Sequence, residues 1–333
     1  MSQAQLTPVG VDETAAPRLE RSLFERRSLI SATLSLITWI AAVMACIPLF
    51  AVLIMLVVRG GSRLSPEVFT QLPPTPFEVG GGFGNAIVGT VLMVGIALVL
   101  SVPLGILAAV FLAEFAPDSK ISHITRFCLK TLTGLPSILA GVFAYAAVVL
   151  TTGTYSAPAG GVALALLMIP TVTLTAEEAM RMVPHVMKDA AFGMGCTPSQ
   201  VVWKVVLPTA RPGIITGVLL AVARAAGETA PLLFTALFSS YWLFQHGNLD
   251  VMEPTASLSV LIYNFAGMPY ENQIELAWTA SLVLVVMVLM LNILSRAIGV
   301  RKDYVVTMLL VVRRVMGQQK AEKEQTNESR TLD

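Results

Sequence analysis

Six long apolar stretches decide what this chain can fold into: residues 29–58, 84–112, 131–152, 157–178, 212–238 and 275–299. A helix needs roughly 20 such residues to cross the hydrocarbon core of a bilayer. Within lipid every backbone N–H and C=O must be bonded inside the protein, which favours helices over open chain. The expected fold class is therefore an all-α integral membrane protein with six transmembrane helices. Composition agrees, with 55% hydrophobic and only 13% charged residues, against roughly a quarter charged in a soluble domain. The first stretch follows Arg26-Arg27, as the apolar part of a signal peptide would. It far exceeds the roughly 7–15 residues of a secretory h-region, so it is expected to remain as an uncleaved anchor. A further apolar run, Val305 to Val312, is too short to span and is expected at the inner membrane surface.

Basic residues orient the spans. The tail before the first span holds four (Arg18, Arg21, Arg26, Arg27), and the loop 113–130 holds three (Lys120, Arg126, Lys130). The loop 179–211 holds four (Arg181, Lys188, Lys204, Arg211), and eight lie from Arg296 onward. The alternate loops hold only Arg59 and Arg63, so the asymmetry is nineteen to two, with Arg224 left inside the membrane. The positive-inside rule then puts both termini in the cytoplasm of a multi-pass protein of the inner (plasma) membrane. The chain divides into a polar cytoplasmic tail (1–28), a six-span membrane domain (29–299) and a cytoplasmic C-terminal tail (300–333). Cys46, Cys128 and Cys196 are far apart, and His123, His185 and His246 are never at ligand spacing. Neither a disulfide framework nor a metal site is expected.

The loop between the fourth and fifth spans carries the most specific pattern. The segment from Glu177 to Phe192 is compatible with a helix that ends at Gly193 and Gly195. Thr197 can cap a second short helix, with Pro198 at its first position and Gln200 placed to close a capping box. That helix presents Val201, Val202, Val205 and Val206 on one side, and Leu207-Pro208 is expected to end it before the fifth span. An interfacial connector packed under the bundle would have such a face too.

The spacing over 189–208, however, resembles the coupling loop of ATP-binding-cassette importer permeases. That pattern is Glu-Ala-Ala, three residues, Gly, nine residues, Ile, one residue, Leu-Pro. Here Asp189-Ala190-Ala191 is followed at those intervals by Gly195, Val205, Leu207 and Pro208. The resemblance implies that these residues form a coupling helix that docks on an ATPase subunit. Asp189 in place of Glu keeps the charge but shortens its reach.

The chain has no Gly-x-x-x-x-Gly-Lys-Ser/Thr loop, no His-Glu-x-x-His and no Gly-x-Ser-x-Gly, so it is expected to be a transport subunit rather than an enzyme. No cofactor is expected on this chain, ATP and Mg being held by the partner ATPase. Further runs, Gly82 to Thr90, Val102 to Ala108, Thr133 to Ile138 and Ala223 to Ala236, are similar to those of phosphate-specific permease subunits of these importers. The similarity covers roughly 80–300, with 84–299 as the core transporter module. It implies a type I ABC importer permease fold, a homologous second permease subunit, a dimer of ATP-binding subunits and an extracytoplasmic phosphate-binding protein. Lipid surrounds such a chain, and no nucleic acid is implied.

Arg224 lies near the middle of the fifth span, with Glu228 four residues on. A charge at that depth costs about 2.5–3.5 kcal/mol on insertion scales and marks function by default. The pair could be a neutral lock between helices. Alternatively Arg224, Glu228 and Thr229 line a water-filled substrate path, the guanidinium offering a planar donor fork to an oxyanion. The path reading is the one taken, and the two roles can coexist. Glu177, Glu178 and Arg181 fit an exit frame or a solvated helix end equally well. Arginine does not distinguish phosphate from sulfate or molybdate, so another oxyanion remains an alternative. An ATP-independent secondary transporter is disfavoured by the coupling-loop pattern and the lack of an inverted repeat.

Overall fold

A computed structural model describes residues 26–245 and 248–293 of the chain. The chain divides into two compact units at Met55 and Leu56. The first is most of helix α1 (Arg26–Gly61), which carries Pro48 in its interior. Its apolar side chains, Trp39, Ile47 and Phe50 among them, are exposed, as expected of a helix whose surroundings are apolar rather than aqueous.

The second unit is a helical bundle: α2 (Gly84–Phe115), α3 (Lys120–Gly134), α4 (Ser137–Thr152), α5 (Ala157–Arg181), α6 (His185–Gly193), α7 (Pro198–Ala226), α8 (Ala230–Thr235), α9 (Leu258–Ala266) and α10 (Glu271–Ile293). A two-residue antiparallel ribbon, Phe244–Gln245 with Asn248–Leu249, interrupts an otherwise helical unit. Five helices are long and apolar enough to cross a membrane, and the bent pair α3 and α4 brings the number to six.

Three apolar clusters run along the bundle. At one end Val68, Phe83, Leu258, Leu261 and Leu276 pack together, the middle holds Met93, Leu164, Met168, Val172, Ala221 and Leu232, and the far end holds Ala109, Met180, Val201, Val206 and Ile214. Helices α2, α5 and α7 meet in the middle. The approach is close because the contact residues are small, as in membrane helices where no hydrophobic drive separates protein from lipid. A Cβ on Gly217 of α7 would lie 2.2 Å from Thr175 Oγ1 of α5.

Two spans differ from the sequence expectation. The stretch 131–152 is not one helix: α3 and α4 meet at 104° across Leu135-Pro136. Leu135 is extended (φ −72, ψ 144) because the proline ring excludes helical backbone before it. The stretch 212–238 also breaks, since α7 ends at Ala226 and α8 begins at Ala230. Leu207-Pro208, expected as a stop, lies instead inside one helix running from Pro198 to Ala226. A π turn over Val202–Val206, closed by Leu207 N–H on Val202 O, widens the helix where Pro208 cannot donate. The tail 1–25, the run 305–312 and the C-terminal segment lie outside the described residues.

Candidate functional site

Gly227 and Pro231 make the break in the fifth span. Glycine is a weak helix former, and Pro231 has no N–H to offer the carbonyl four residues back. The backbone closes in short turns, Gly227 N–H on Arg224 O (3.1 Å) and Glu228 N–H on Ala225 O (3.2 Å). The carbonyl of Glu228 accepts from Ser259 Oγ of α9 at 2.8 Å. Thr229 O accepts from Leu232 N and Leu233 N (3.1 and 3.2 Å), while its side chain makes no cap bond. Pro231 sits against Gly141 of α4, where a Cβ would come within 2.6 Å of Pro231 Cα. The break is thus fixed from α4 and α9, which satisfies the backbone that the glycine and proline free.

Arg224 Nε lies 3.5 Å from Glu228 Oε1, so the pair survives although the helix between them has ended. It is a loose pair. The arginine side chain is 50% exposed and the glutamate 17%. No other ion pair reaches Arg224 among the described residues, and most of its five N–H donors remain available.

In the loop between α5 and α7 the expected end and cap form, but the helix expected over 177–192 is two: α5 ends at Arg181 and α6 begins at His185, because Pro184 (φ −58, ψ 133) holds non-helical backbone between them. Gly195 ends α6 in the left-handed region (φ +83), which glycine adopts without strain. Thr197 caps α7 in a full capping box: Thr197 N–H donates to Gln200 Oε1 (2.9 Å) and Gln200 N–H to Thr197 Oγ1 (3.4 Å). Asp189, Ala190, Gly195 and Pro208 are exposed, and Ala191 is buried. The valine face does not point outward. Val201, Val202 and Val206 are buried against Ala109, Met180 and Ile214, with Val205 and Leu207 partly buried on the same cluster. The outer apolar surface comes from Met182, Val186, Phe192, Met194 and Trp203 instead.

Beside this loop lies a charged network that sequence reasoning missed. Glu177 is neither a solvated end nor an open frame: it is buried, accepting from Arg126 Nε at 2.7 Å and pairing with Arg181 at 2.9 Å. Arg126 also donates to Pro117 O (2.8 Å) and Leu112 O (2.7 Å), the latter inside the π turn Phe111–Phe115 that ends α2. From α6, Lys188 Nζ reaches Glu114 Oε1 of the same turn at 2.6 Å. Among the described residues no group of three His, Cys, Asp or Glu could hold a metal ion.

A bundle of membrane-crossing helices with one span broken at a charged pair, and a capped loop packed beneath it, defines a transporter membrane subunit. Residues 101–303 match the family described as binding-protein-dependent transport system inner membrane component, and the chain belongs to that family; its five to six membrane-length helices make it a multi-pass inner membrane protein. The phosphate transport system permease protein PstA of Yersinia pestis is 40% identical over 248 residues, 74% of this chain and 82% of that protein. PstA of Xylella fastidiosa (strain 9a5c) is 39% identical over 280 residues, covering 84% and 96%. The probable PstA of Methanocaldococcus jannaschii is 38% identical over 246 residues, covering 74% and 85%. Among solved structures, an inward-facing form of the MetNI methionine ABC transporter superposes with a TM-score of 0.50 at 20% identity, covering 66% of this chain and 93% of that one. The fold is that of a type I ABC importer permease.

Proposed function

We propose that this chain is the permease subunit of an ATP-driven importer of inorganic phosphate, and that the anion passes Arg224 at the break of the fifth span. The observation that carries the reading is Arg224 itself, half exposed in the last turn of α7 where the fifth span breaks, and only loosely paired. Lipid is not a tolerable neighbour for that guanidinium, so its exposed side faces water or a second permease subunit. Its free donors fit the oxygens of a tetrahedral anion. Glu228 holds the fork loosely enough for the anion to displace it and then leave, since passage needs release as well as entry. The names of the relatives supply the choice of phosphate.

With both termini cytoplasmic, the outer face carries Glu67, Glu78, Asp250 and Glu271, all exposed. Arg63, the basic residue nearest them, is tied to Asn272 O and Gly80 O. Such a face repels free anions, which suits delivery by an extracytoplasmic phosphate-binding protein. ATP and Mg belong to a dimer of ATPase subunits. Their contact is the exposed surface of the loop, with Asp189, Ala190 and Gly195 among Val186, Phe192 and Met194. Ala191, Val205 and Leu207 hold that loop in shape from within, and Pro208 marks its edge.

Uptake of labelled phosphate, sulfate and molybdate at micromolar concentration, in cells lacking the chain and in cells with it restored, tests the proposal. Loss and rescue of phosphate uptake alone is the expected result. A defect confined to sulfate or molybdate would discard phosphate and keep the importer. Unchanged uptake of all three would overturn the assignment.

A further inference from the structure

Helix α6 touches the rest of the chain through few side chains. Ala191 is its buried apolar contact, and Lys188 makes its one ion pair among the described residues, to Glu114 of α2. Both charged side chains are nearly buried, at 12% and 10% exposure. At its C-terminal end α6 is joined to α7 through Gly195, whose left-handed backbone has no neighbour within 4 Å of a Cβ position. That turn is closed by Gly195 N–H on Phe192 O (2.9 Å) and Cys196 N–H on Ala191 O (3.1 Å), so a push on α6 reaches α7 there, and reaches α2 directly only if the helix is pinned to it as well.

Glu114 is such a pin. It lies in the π turn Phe111–Phe115, and Arg126 braces that turn from α3 through Leu112 O and Pro117 O. From there α2 runs as one helix to its other end, where Thr90 Oγ1 accepts the N–H of Leu258 at 2.9 Å. The next residue of α9, Ser259, donates to the carbonyl of Glu228. A continuous series of bonded contacts thus leads from Lys188 through α2 and the start of α9 to the break that holds Arg224 and Glu228.

Resting on the importer reading above, we infer that Lys188 and Glu114 are positioning residues that lock α6 to α2, so that displacement of α6 by the ATPase moves α2 and opens the Arg224–Glu228 break. Neither residue touches the anion or the nucleotide. Lys188 faces inward beside Asp189, which faces out, so adjacent residues divide the work between holding the bundle and meeting the partner.

The test uses the whole importer, with its ATPase and binding-protein partners, in proteoliposomes, and reads phosphate moved per ATP hydrolysed. Lys188→Met and Glu114→Gln are expected to retain the ATPase subunits and hydrolyse ATP while this ratio falls about fivefold or more, the lower end of site-to-site coupling. Lys188→Arg and the exchange Lys188→Glu with Glu114→Lys are expected to restore it. The double variant Lys188→Met with Glu114→Met leaves no orphan buried charge and guards against misfolding of the single variants. It is expected to assemble and remain uncoupled. An unchanged ratio in the double variant, or an exchange variant that assembles but stays uncoupled, would overturn the lock. A wild-type complex that hydrolyses ATP and moves no phosphate would instead sink the importer reading itself.

Discussion

The bundle contains two kinds of ionic site, and their surroundings are opposite. At the end of α5, Glu177 is 7% exposed at its side chain and shared by Arg126 and Arg181 at 2.7 and 2.9 Å. In the last turn of α7, beside the break of the fifth span, Arg224 is 50% exposed and sits 3.5 Å from Glu228. The first site spends its charge on the chain itself: Arg126 gives its donors to Glu177, Pro117 O and Leu112 O. The second leaves most of its donors unused at the end of a helix long and apolar enough to cross a membrane, where an unused charge is costly. A satisfied buried network fixes the relative positions of helices, whereas a half-satisfied charge in a span calls for something that is not part of the chain. Position near a membrane does not separate the two sites; the number of donors left over does.

The contrast breaks first at Glu177. Glu177→Ala leaves Arg126, 15% exposed, without its carboxylate, and removing one partner of a buried pair costs about 3–5 kcal/mol. Thermal and denaturant unfolding of the purified chain should show a loss of that size. A change below about 1 kcal/mol would mean the network is better hydrated than its burial indicates. Arg224→Ala should do the reverse. Stability should shift by no more than about 1 kcal/mol, as for an exposed pair. Transport should fall about tenfold to a hundredfold, the equivalent of about 1.5–3 kcal/mol for a hydrogen bond to a charged group. Equal damage to stability by both substitutions would erase the distinction and make Arg224 a second structural lock.

What the sequence made legible was local. The capping box at Thr197 and the glycine stop at Gly195 depend on residues within three or four positions, and both form as their spacing requires. Arg224 and Glu228 were legible because charge in an apolar run is conspicuous, and their contact persists at 3.5 Å. The breaks at Leu135-Pro136 and at Gly227 were written in the same residues that membrane helices often tolerate. Pro170 lies inside α5 without ending it, so a proline alone does not decide; Gly141 packed on Pro231 and Ser259 on Glu228 do, and they come from other helices. The buried network was illegible for the same reason. Arg126 and Glu177 are 51 positions apart, and Lys188 and Glu114 are 74. No local spacing reports such pairs. The valine face of 201–206 shows the converse: an apolar side reads alike whether it meets a partner or its own core, and here it meets its own core.

A third carboxylate sharpens the comparison because it is satisfied without being buried. Glu78, in the loop before α2, accepts from Thr75 N–H at 2.9 Å and from Thr75 Oγ1 at 2.8 Å through the same oxygen. The backbone bond, then the hydroxyl bond, hold its carboxyl below the ordinary value of 4.5. A lowered value means that the charged form is preferred when the turn is formed. The stabilisation is therefore complete at neutral pH, begins to fade only on acidification below about 4.5, and is lost as the pH drops through the folded value. Phe77 holds a left-handed backbone (φ 70) inside this turn. Hydrogen exchange at the Thr75 amide, corrected for its intrinsic pH dependence, should show protection at pH 7 that declines in that acid range. Glu78→Gln should give weaker protection with no such decline, and transport by this variant should match the wild type. Equal protection in the two chains at every pH would show that the turn is set by Arg63 and Asn272, which bond the carbonyls of Gly80 and Glu78, and not by the carboxylate.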